Sequence, residues 1–367
     1  MTRVLVNPLD WGLGHATRCV PLVHELLRQG CDVILGSTGL QRAFFSNEFP
    51  ELPQIAAPSY QIQYPSQGWQ MPLWILREAP RLRKLQQTEH HWTEQTCKKH
   101  GIQWVISDNR FGCYSKLVHS TYITHQNRIA FPSPFRRLES WGERWHHKQQ
   151  RNFQEVWIPD FQGENNLAGS LSQSGIIPGF HHHIGPLTRF AKATEIDRQT
   201  NKRLGQILAL LSGPEPQRTL LEKRIISVLS QGPNSFVILQ GKPGTTPQMD
   251  LPAHGRIYSH LPSAELRELI LQSEYILCRS GYSTLMDLQA LGSKAVLIPT
   301  PGQTEQELLG RHLRSSGQCG LLTQQKLSLQ TLQQELGHAH GFATCSSQTE
   351  LLSSTITQTL QKINTHA

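Results

Sequence analysis

The chain has 367 residues, of which 37% are hydrophobic, and it carries a formal net charge of +8. This length, without a low-complexity block, excludes a disordered protein and favours two compact domains. The seven cysteines are scattered and form no C-x-x-C pair, which excludes a disulfide framework and a zinc site of the usual spacing.

The positive charge is compatible with three acidic partners: nucleic acid, an anionic membrane surface or a nucleotide diphosphate. The basic residues lack interleaved aromatics at a nucleic-acid-binding spacing, so we expect no nucleic acid partner. The N-terminus has no apolar signal segment and no apolar run approaches a membrane span, so we predict a cytoplasmic protein. Peripheral contact with the inner face of the membrane stays open.

The first half of the chain alternates strands with helices. Residues 3–7 are a predicted strand, a glycine-rich turn follows, and apolar residues at helical spacing predict a helix over 15–29. The other predicted elements of this half are strands over 32–36, 102–107, 122–124 and 156–158 and a helix over 73–100. This alternation predicts a parallel sheet with helices on both faces.

A second series begins after a connecting segment at about 185–203. Its predicted strands span 207–211, 236–239, 256–258, 275–278 and 295–298, and its predicted helices begin at 217, 264 and 283. We therefore predict an N-terminal domain over 1–190, a second doubly wound domain over 191–345 and a C-terminal helix within 346–367.

The loop after the first strand holds the first group of candidate functional residues. Ligands of open α/β sheets bind beyond the carboxyl ends of the strands. Gly12 and Gly14 permit a close backbone approach, and the helix that follows directs free N–H groups at an anion. His15 could act as a general base or steer a phosphate. The alternative is a structural turn with an exposed histidine.

The segment 278–287 is a strand end, a small-residue loop and a helix start. Its backbone amides and the hydroxyls of Ser280, Ser283 and Thr284 could hold a diphosphate. Asp287, one turn into the helix, could accept two hydrogen bonds from a ribose diol. The alternative is that Ser283 is a helix N-cap and Asp287 a solvated side chain.

Two further loops follow predicted strands of the second half. The segment 300–307 offers Gln303 and Gln306 to sugar hydroxyls, with an ordinary polar helix start as the alternative. In the segment 212–218, Gly213 precedes a helix and Arg218 could meet a phosphate.

The remaining candidates are Asp108 and a histidine run. Asp108 follows a strand of the N-terminal half, where it could deprotonate or orient an acceptor hydroxyl; turn formation is the alternative. We interpret His181-His182-His183 as a loop, because three consecutive side chains cannot converge on one ion, and we predict no metal site. Trp141 and Trp145 are expected on one helix face, and Tyr282 in packing.

The loop Gly12–Arg18 and the segment 278–287 resemble the GT-B glycosyltransferases related to the peptidoglycan N-acetylglucosaminyltransferase that forms lipid II. Those enzymes carry a G-G-H or G-x-G-H histidine in the first domain. Their second domain carries R-S-G, an acidic residue, a glycine and a proline, which correspond here to Arg279-Ser280-Gly281, Asp287, Gly292 and Pro299. The resemblance implies an α/β protein of the GT-B fold, with two Rossmann-like doubly wound parallel-sheet domains facing across a cleft.

The resemblance also implies roles for single residues. It places His15 at the active cleft, and Arg279, Ser280 and Gly281 beside the donor phosphates. Asp287 stands where the family has a glutamate that holds the ribose hydroxyls.

Other positions of the resemblance match in part. Gln306 matches a glutamine that contacts the donor sugar, whereas Glu307 replaces a second glutamine. The stretch around His260 matches the residues that meet the uracil. Ser212-Gly213-Pro214 replaces a G-G-S loop and so lacks its hydroxyl, although Arg218 matches a family arginine.

The implied function is metal-independent and cofactor-free transfer of a sugar, of the hexosyl or N-acetylhexosaminyl type, from a UDP-sugar donor to a hydroxyl acceptor. The acceptor is unknown, with a lipid-linked or polysaccharide acceptor of the cell envelope as candidates. Three alternatives stay open. They are a UDP-sugar hydrolase of the kind used in nonulosonic acid synthesis, a nucleotide-sugar epimerase, and a non-catalytic nucleotide-binding module.

Overall fold

The structure is a computed structural model that describes residues 1–60, 71–131, 137, 139–163, 165–190, 192–194, 197, 203–242, 246, 251–343 and 348–366. The chain divides into two compact units. Of the described residues, 1–60, 72–187 and 348–366 belong to the first unit, and Met71 and the described residues from 188 to 343 belong to the second.

The first unit contains a seven-stranded parallel sheet. Its strands are β1 (Arg3–Pro8), β2 (Asp32–Ser37), β3 (Gln54–Ala56), β4 (Trp104–Asp108), β5 (His119–Ile123), β6 (Glu155–Ile158) and β7 (His181–His183). They lie in the order β3-β2-β1-β4-β5-β6-β7. Val4, Leu5 and Val6 of β1 are completely buried, as expected for a strand covered on both faces.

Helices cover this sheet. They are α1 (Leu13–Arg28), α2 (Gly39–Glu48), α3 (Met71–His100), α4 (Glu139–Gln150) and the short α5 (Ser170–Gln173). Helix α1 buries Ala16, Val20 and Val23 against the sheet, as their helical spacing predicts.

The histidine run forms an edge strand, so its interpretation as a loop was wrong. His181, His182 and His183 of β7 pair in parallel with Val156, Trp157 and Ile158 of β6. The strand is held by pairing with a distant segment, which the local composition does not reveal.

The second unit contains a six-stranded parallel sheet. Its strands are β8 (Arg203–Leu210), β9 (Phe236–Leu239), β10 (Gly255–Tyr258), β11 (Ser273–Cys278), β12 (Ala295–Leu297) and β13 (Cys319–Leu321), in the order β10-β9-β8-β11-β12-β13. Its helices are α6 (Gln217–Leu229), α7 (Ser263–Gln272), α8 (Tyr282–Leu291), α9 (Thr304–Ser315) and α10 (Leu329–Leu336).

In each sheet the strand order reverses once. The reversal lies between β1 and β4 in the first sheet and between β8 and β11 in the second. At such a point the loops leave their strands in opposite directions and open a crevice at the carboxyl ends. The prediction of two doubly wound parallel sheets is confirmed, and the loops predicted to carry function follow these four strands and β12.

The last helix, α11 (Gln348–His366), packs on the first unit. Ile356 is completely buried, and Thr359 donates a hydrogen bond of 2.8 Å to the buried carboxylate of Glu155. Lys362 Nζ lies 3.1 Å from the other oxygen of Glu155. Among the described residues, no helix is long and apolar enough to cross a membrane.

The packing of α11 predicts a loss of stability in Ile356→Ala. Removing this buried side chain should lower the free energy of unfolding of the first unit by about 2–5 kcal/mol, because the core loses apolar contacts and keeps a cavity. Chemical denaturation followed by circular dichroism measures the effect. Gln361→Ala, on the exposed face of α11, is the control. Equal stability of the two variants would contradict this packing.

Candidate active site

The loop after β1 turns the chain into α1 and places His15 in the first helical turn. Gly12 is the N-cap residue and has a φ of 109°, a conformation that disfavours any side chain. Gly14 is exposed, and its carbonyl accepts a hydrogen bond of 3.0 Å from Thr17 Oγ1. These contacts fix the start of the helix that carries the histidine.

His15 is paired with Asp108, the last residue of β4. The distance from His15 Nδ1 to Asp108 Oδ2 is 2.9 Å, and the side chain of Asp108 is completely buried. An ionised carboxylate can only accept, so Nδ1 carries the proton. Nε2 has no hydrogen-bond partner within the part of the chain that the structure describes, and the imidazole is 18% exposed. The arrangement leaves Nε2 able to accept a proton.

Arg18 holds the other side of the same carboxylate. Its guanidinium, 1% exposed, donates from Nε to Asp108 Oδ2 at 2.9 Å and from Nη2 to Oδ1. Its Nη1 lies 3.3 Å from His125 Nδ1. The spacing of His15 and Arg18 by three residues brings both to the end of β4.

The pKa values in this cluster follow from burial and charge. Burial raises the pKa of Asp108, but Arg18 and His15 outweigh it and hold that pKa at about 2. The pKa of His15 is lowered from its ordinary value, first by burial and second by Arg18, against the opposing pull of Asp108. His15 is therefore a neutral base at neutral pH.

Asp108 binds other side chains, whereas the sequence suggested a contact with an acceptor hydroxyl. Both of its oxygens are committed to Arg18 and His15, and it is completely buried, so it does not reach an acceptor hydroxyl. It positions the imidazole and fixes its tautomer. Cys19 Sγ, at 3.9 Å from Oδ2, completes its surroundings.

The loop after β4 is anchored by a second buried ion pair that the sequence analysis missed. Arg110 Nε donates to Glu89 of α3, and both side chains are completely buried. Glu89 also accepts from Tyr60 Oη at 2.6 Å and from the Gly112 N–H at 3.0 Å. Asn109, with a φ of 59°, is the one described non-glycine residue in the left-handed region, so this backbone beside Asp108 is tightly constrained.

In the second unit, three loops meet around Arg279, at the end of β11. Its Nη1 donates to the carbonyls of Ile298 and Pro299, each at 3.0 Å. Its Nη2 donates to the carbonyl of Gln217 at 2.9 Å and to Gln324 Oε1 at 2.7 Å. The guanidinium, which the sequence placed beside the donor phosphates, thus joins its own loop after β11 to the loops that follow β8, β12 and β13.

No described carboxylate neutralises Arg279. All four of its acceptors are neutral, Nε has no hydrogen-bond partner among the described residues, and burial lowers the pKa of the guanidinium to about 10. A buried cation without an anion raises the electrostatic potential of the loops above it.

Ser280 and Gln306 also bind protein groups. Ser280 is completely buried and donates to the carbonyl of Gln306 at 2.7 Å. Gln306 Oε1 accepts from the Thr300 N–H at 2.8 Å, and its Nε2 donates to Gln303 Oε1 at 2.5 Å. These side chains, predicted to touch the donor, fix the loop after β12 to the loop after β11.

Arg218 is likewise occupied. Its guanidinium donates to Glu215 at 2.9 Å, to Glu222 at 3.1 Å and to the carbonyl of Gln240 at 3.1 Å. Two carboxylates neutralise its charge, so it does not offer a free cation to a phosphate.

Asp287 accepts a hydrogen bond of 2.8 Å from Thr188 Oγ1, and Arg189 Nε lies 3.6 Å from its other oxygen. Burial raises the pKa of this carboxyl, against the effect of Arg189. A ribose diol would compete with Thr188 for the same oxygen.

In these loops of the second unit, the groups exposed to solvent are mostly backbone groups. Gly213, in the loop after β8, is exposed and has a φ of 99°. Gly281 is the N-cap of α8 and therefore provides no capping side chain, and no acidic residue lies in the first turn. Ser283 in that turn and His260 beyond β10 are partly exposed. The first turn of α8 follows the loop that carries Arg279, and the N-terminus of a helix favours negative charge.

No group of three or more histidine, cysteine or acidic side chains among the described residues is arranged to hold a metal ion.

Comparisons with known proteins agree with this architecture. Residues 223–343 match the "Glycosyltransferase family 28 C-terminal domain". The glycosyltransferase SnogD from Streptomyces nogalater is 14% identical, with 99% of each chain covered and a TM-score of 0.65. The spinosyn rhamnosyltransferase SpnG complexed with thymidine diphosphate is also 14% identical, with 98% of this chain and 96% of that chain covered and a TM-score of 0.62.

MurG from Acinetobacter baumannii is 14% identical as well, with 98% of this chain and all of that chain covered (100%) and a TM-score of 0.57. No curated protein matches the sequence. The chain therefore has the GT-B fold of these structures, and the family match within its second unit supports a glycosyltransferase.

The His15 cluster predicts a change of pKa when Arg18 is replaced. In Arg18→Met the pKa of His15 should rise, because the cation that lowers it is lost while the Asp108 anion remains. Titration of the histidine ring signals by NMR, assigned with His15→Gln, measures the shift.

Arg18→Lys is the matched control for this titration, because it keeps the charge and should leave the pKa of His15 lowered. An unchanged or lower pKa of His15 in a folded Arg18→Met protein would show that Arg18 does not control the imidazole.

Proposed function

We propose that the protein is a glycosyltransferase that moves a sugar from a nucleoside-diphosphate sugar to a hydroxyl acceptor without a metal ion. The donor that we propose is a UDP-sugar. The observation that carries the proposal is the buried, unneutralised Arg279 in the loop that leads into α8, which suits the diphosphate of a donor. The family match over 223–343 includes this segment, and a neighbour of the same fold is described as a complex with thymidine diphosphate.

In the proposed reaction, Nε2 of His15 takes the proton of the acceptor hydroxyl while the oxygen of that hydroxyl forms a bond to the anomeric carbon of the donor. The bond from that carbon to the diphosphate breaks, and its electron pair leaves with the diphosphate. Asp108 stabilises the imidazolium that forms, through the contact at Nδ1. The N–H groups at the start of α8 and the charge of Arg279 offset the charge on the leaving diphosphate, which is the task a metal would otherwise perform.

We infer that the sugar is of the hexosyl or N-acetylhexosaminyl type and that the acceptor is lipid-linked, reached from the cytoplasmic face of the membrane. The sugar type follows from the resemblance described above, and the support for a lipid-linked acceptor lies on α4, where Trp141 is 66% and Trp145 41% exposed. Arg144 and Lys148 are exposed on the same helix at positions that alternate with them. Exposed tryptophans beside basic side chains suit the interface of an anionic bilayer.

The proposed donor site predicts binding of UDP that does not depend on His15. UDP should raise the melting temperature of both the wild type and His15→Ala, because the diphosphate is held in the second unit and a ligand of the folded state stabilises it. In the same variant, turnover of a UDP-sugar should fall by about 10²- to 10⁴-fold, the usual contribution of a general base.

Two further measurements, one with dTDP and one without an acceptor, test the base of the donor and distinguish transfer from hydrolysis. Binding of dTDP in place of UDP would change the base of the donor, and fast release of free sugar without acceptor would indicate a hydrolase. If neither nucleotide shifts the melting temperature of the wild type, the proposed function is wrong.

The α4 surface predicts binding to anionic vesicles. Trp141→Ala/Trp145→Ala should lower sedimentation with phosphatidylglycerol vesicles by about tenfold, because the apolar area that enters the interface is lost. Leu117→Ala, also exposed, is the control. Equal sedimentation of the two variants would argue against a membrane contact through α4.

A further inference from the structure

The loop after β8 approaches the loop after β12 at Gly213. Gly213 is exposed with a φ of 99°, and Pro214, which follows it, has neither a backbone N–H nor a side-chain donor. A methyl group placed on Gly213 would have the hydroxyl of Thr300 as its nearest neighbour, at 3.9 Å. Between Gly213 and Thr300 Oγ1 there is therefore no side chain.

The hydroxyl of Thr300 is buried and unsatisfied. Thr300 is 3% exposed, and its Oγ1 has no hydrogen-bond partner among the residues that the structure describes. Its backbone N–H, in contrast, donates to Gln306 Oε1 at 2.8 Å, so the residue is held in place. A buried hydroxyl without a partner is unfavourable, and valine would fill the same volume without that cost.

The surroundings of Thr300 specify an anionic partner. The carbonyl of the preceding residue, Pro299, accepts a hydrogen bond of 3.0 Å from Arg279 Nη1, so the unneutralised guanidinium contacts the residue next to Thr300. Arg279 Nε is a second buried donor without a partner among the described residues. An unsatisfied hydroxyl and, in an adjoining loop, an unneutralised guanidinium with one unsatisfied N–H indicate a ligand with several negatively charged acceptor oxygens.

We propose that Thr300 is a donor-binding residue whose hydroxyl donates a hydrogen bond to a diphosphate oxygen of the nucleotide. The inference rests on the proposed function and deepens it, because it assigns this contact to a side chain beneath the Gly213 loop. Glycine at 213 lets the diphosphate approach Oγ1, since any side chain there would stand between them.

Calorimetric titration of the full-length protein with UDP and with uridine tests the assignment. Thr300→Val should weaken UDP binding by about tenfold, the effect of one hydrogen bond to a charged group, while Thr300→Ser, which keeps the hydroxyl, should bind as the wild type does. Uridine lacks the diphosphate, so its affinity should be the same for both variants. Thr323→Val, an exposed threonine beyond β13, is the matched control.

The outcomes separate this inference from the proposed function. If the wild type binds UDP and Thr300→Val binds it equally well, the assignment of Thr300 is overturned and the proposed function stands. If the wild type binds neither UDP nor dTDP, both are overturned; if it binds only dTDP, the same comparison of variants is made with dTDP. Should Thr300→Val unfold, the comparison of Thr300→Ala with Thr300→Ser gives the same decision, because that pair also differs in the hydroxyl.

Discussion

The buried carboxylate of Asp108 is the contact on which the first site depends. A completely buried anion is tolerated only when it is paired, and Arg18 and His15 supply that pairing from one face of α1. The same two contacts have a chemical consequence. They direct Nε2 of His15 away from the carboxylate. Burial, and after it Arg18, keeps the pKa of the imidazole below its ordinary value against the effect of Asp108. Stabilising the core and preparing a neutral base are thus one arrangement.

The two units differ in how their buried arginine side chains are neutralised. In the first unit, Arg18 and Arg110 each face a buried carboxylate. In the second unit, Arg218 is neutralised by Glu215 and Glu222, whereas Arg279 donates only to neutral acceptors. A cation that the protein leaves uncompensated is stabilised when an anion binds, which is the physical basis of the donor site that we propose around Arg279.

The strands and the position of the loops could be predicted from the sequence because they depend on local patterns. The apolar run Val4-Leu5-Val6 and the glycine turn after it were sufficient for β1 and the start of α1. The edge strand at His181 was missed because its pairing with β6 is non-local. The direction in which a side chain points was the other feature that could not be predicted from the sequence. The sequence indicated that Arg279 and Ser280 lie in a functional loop, but their contacts with Gln217 and Gln306 depend on distant segments.

The side chains that were predicted to bind the donor contact other protein groups, and this affects how the proposed site could distinguish between nucleotide bases. Because Arg218, Ser280 and Gln306 are bound to other protein groups, the diphosphate would be held by backbone N–H groups at the start of α8 and by Thr300. Backbone groups in a rigid loop are oriented before the ligand arrives, so little entropy is lost on binding. Such a site recognises a diphosphate without distinguishing between bases. The choice between uridine and thymidine must then depend on side chains near the base, of which His260 beyond β10 is the candidate from the sequence.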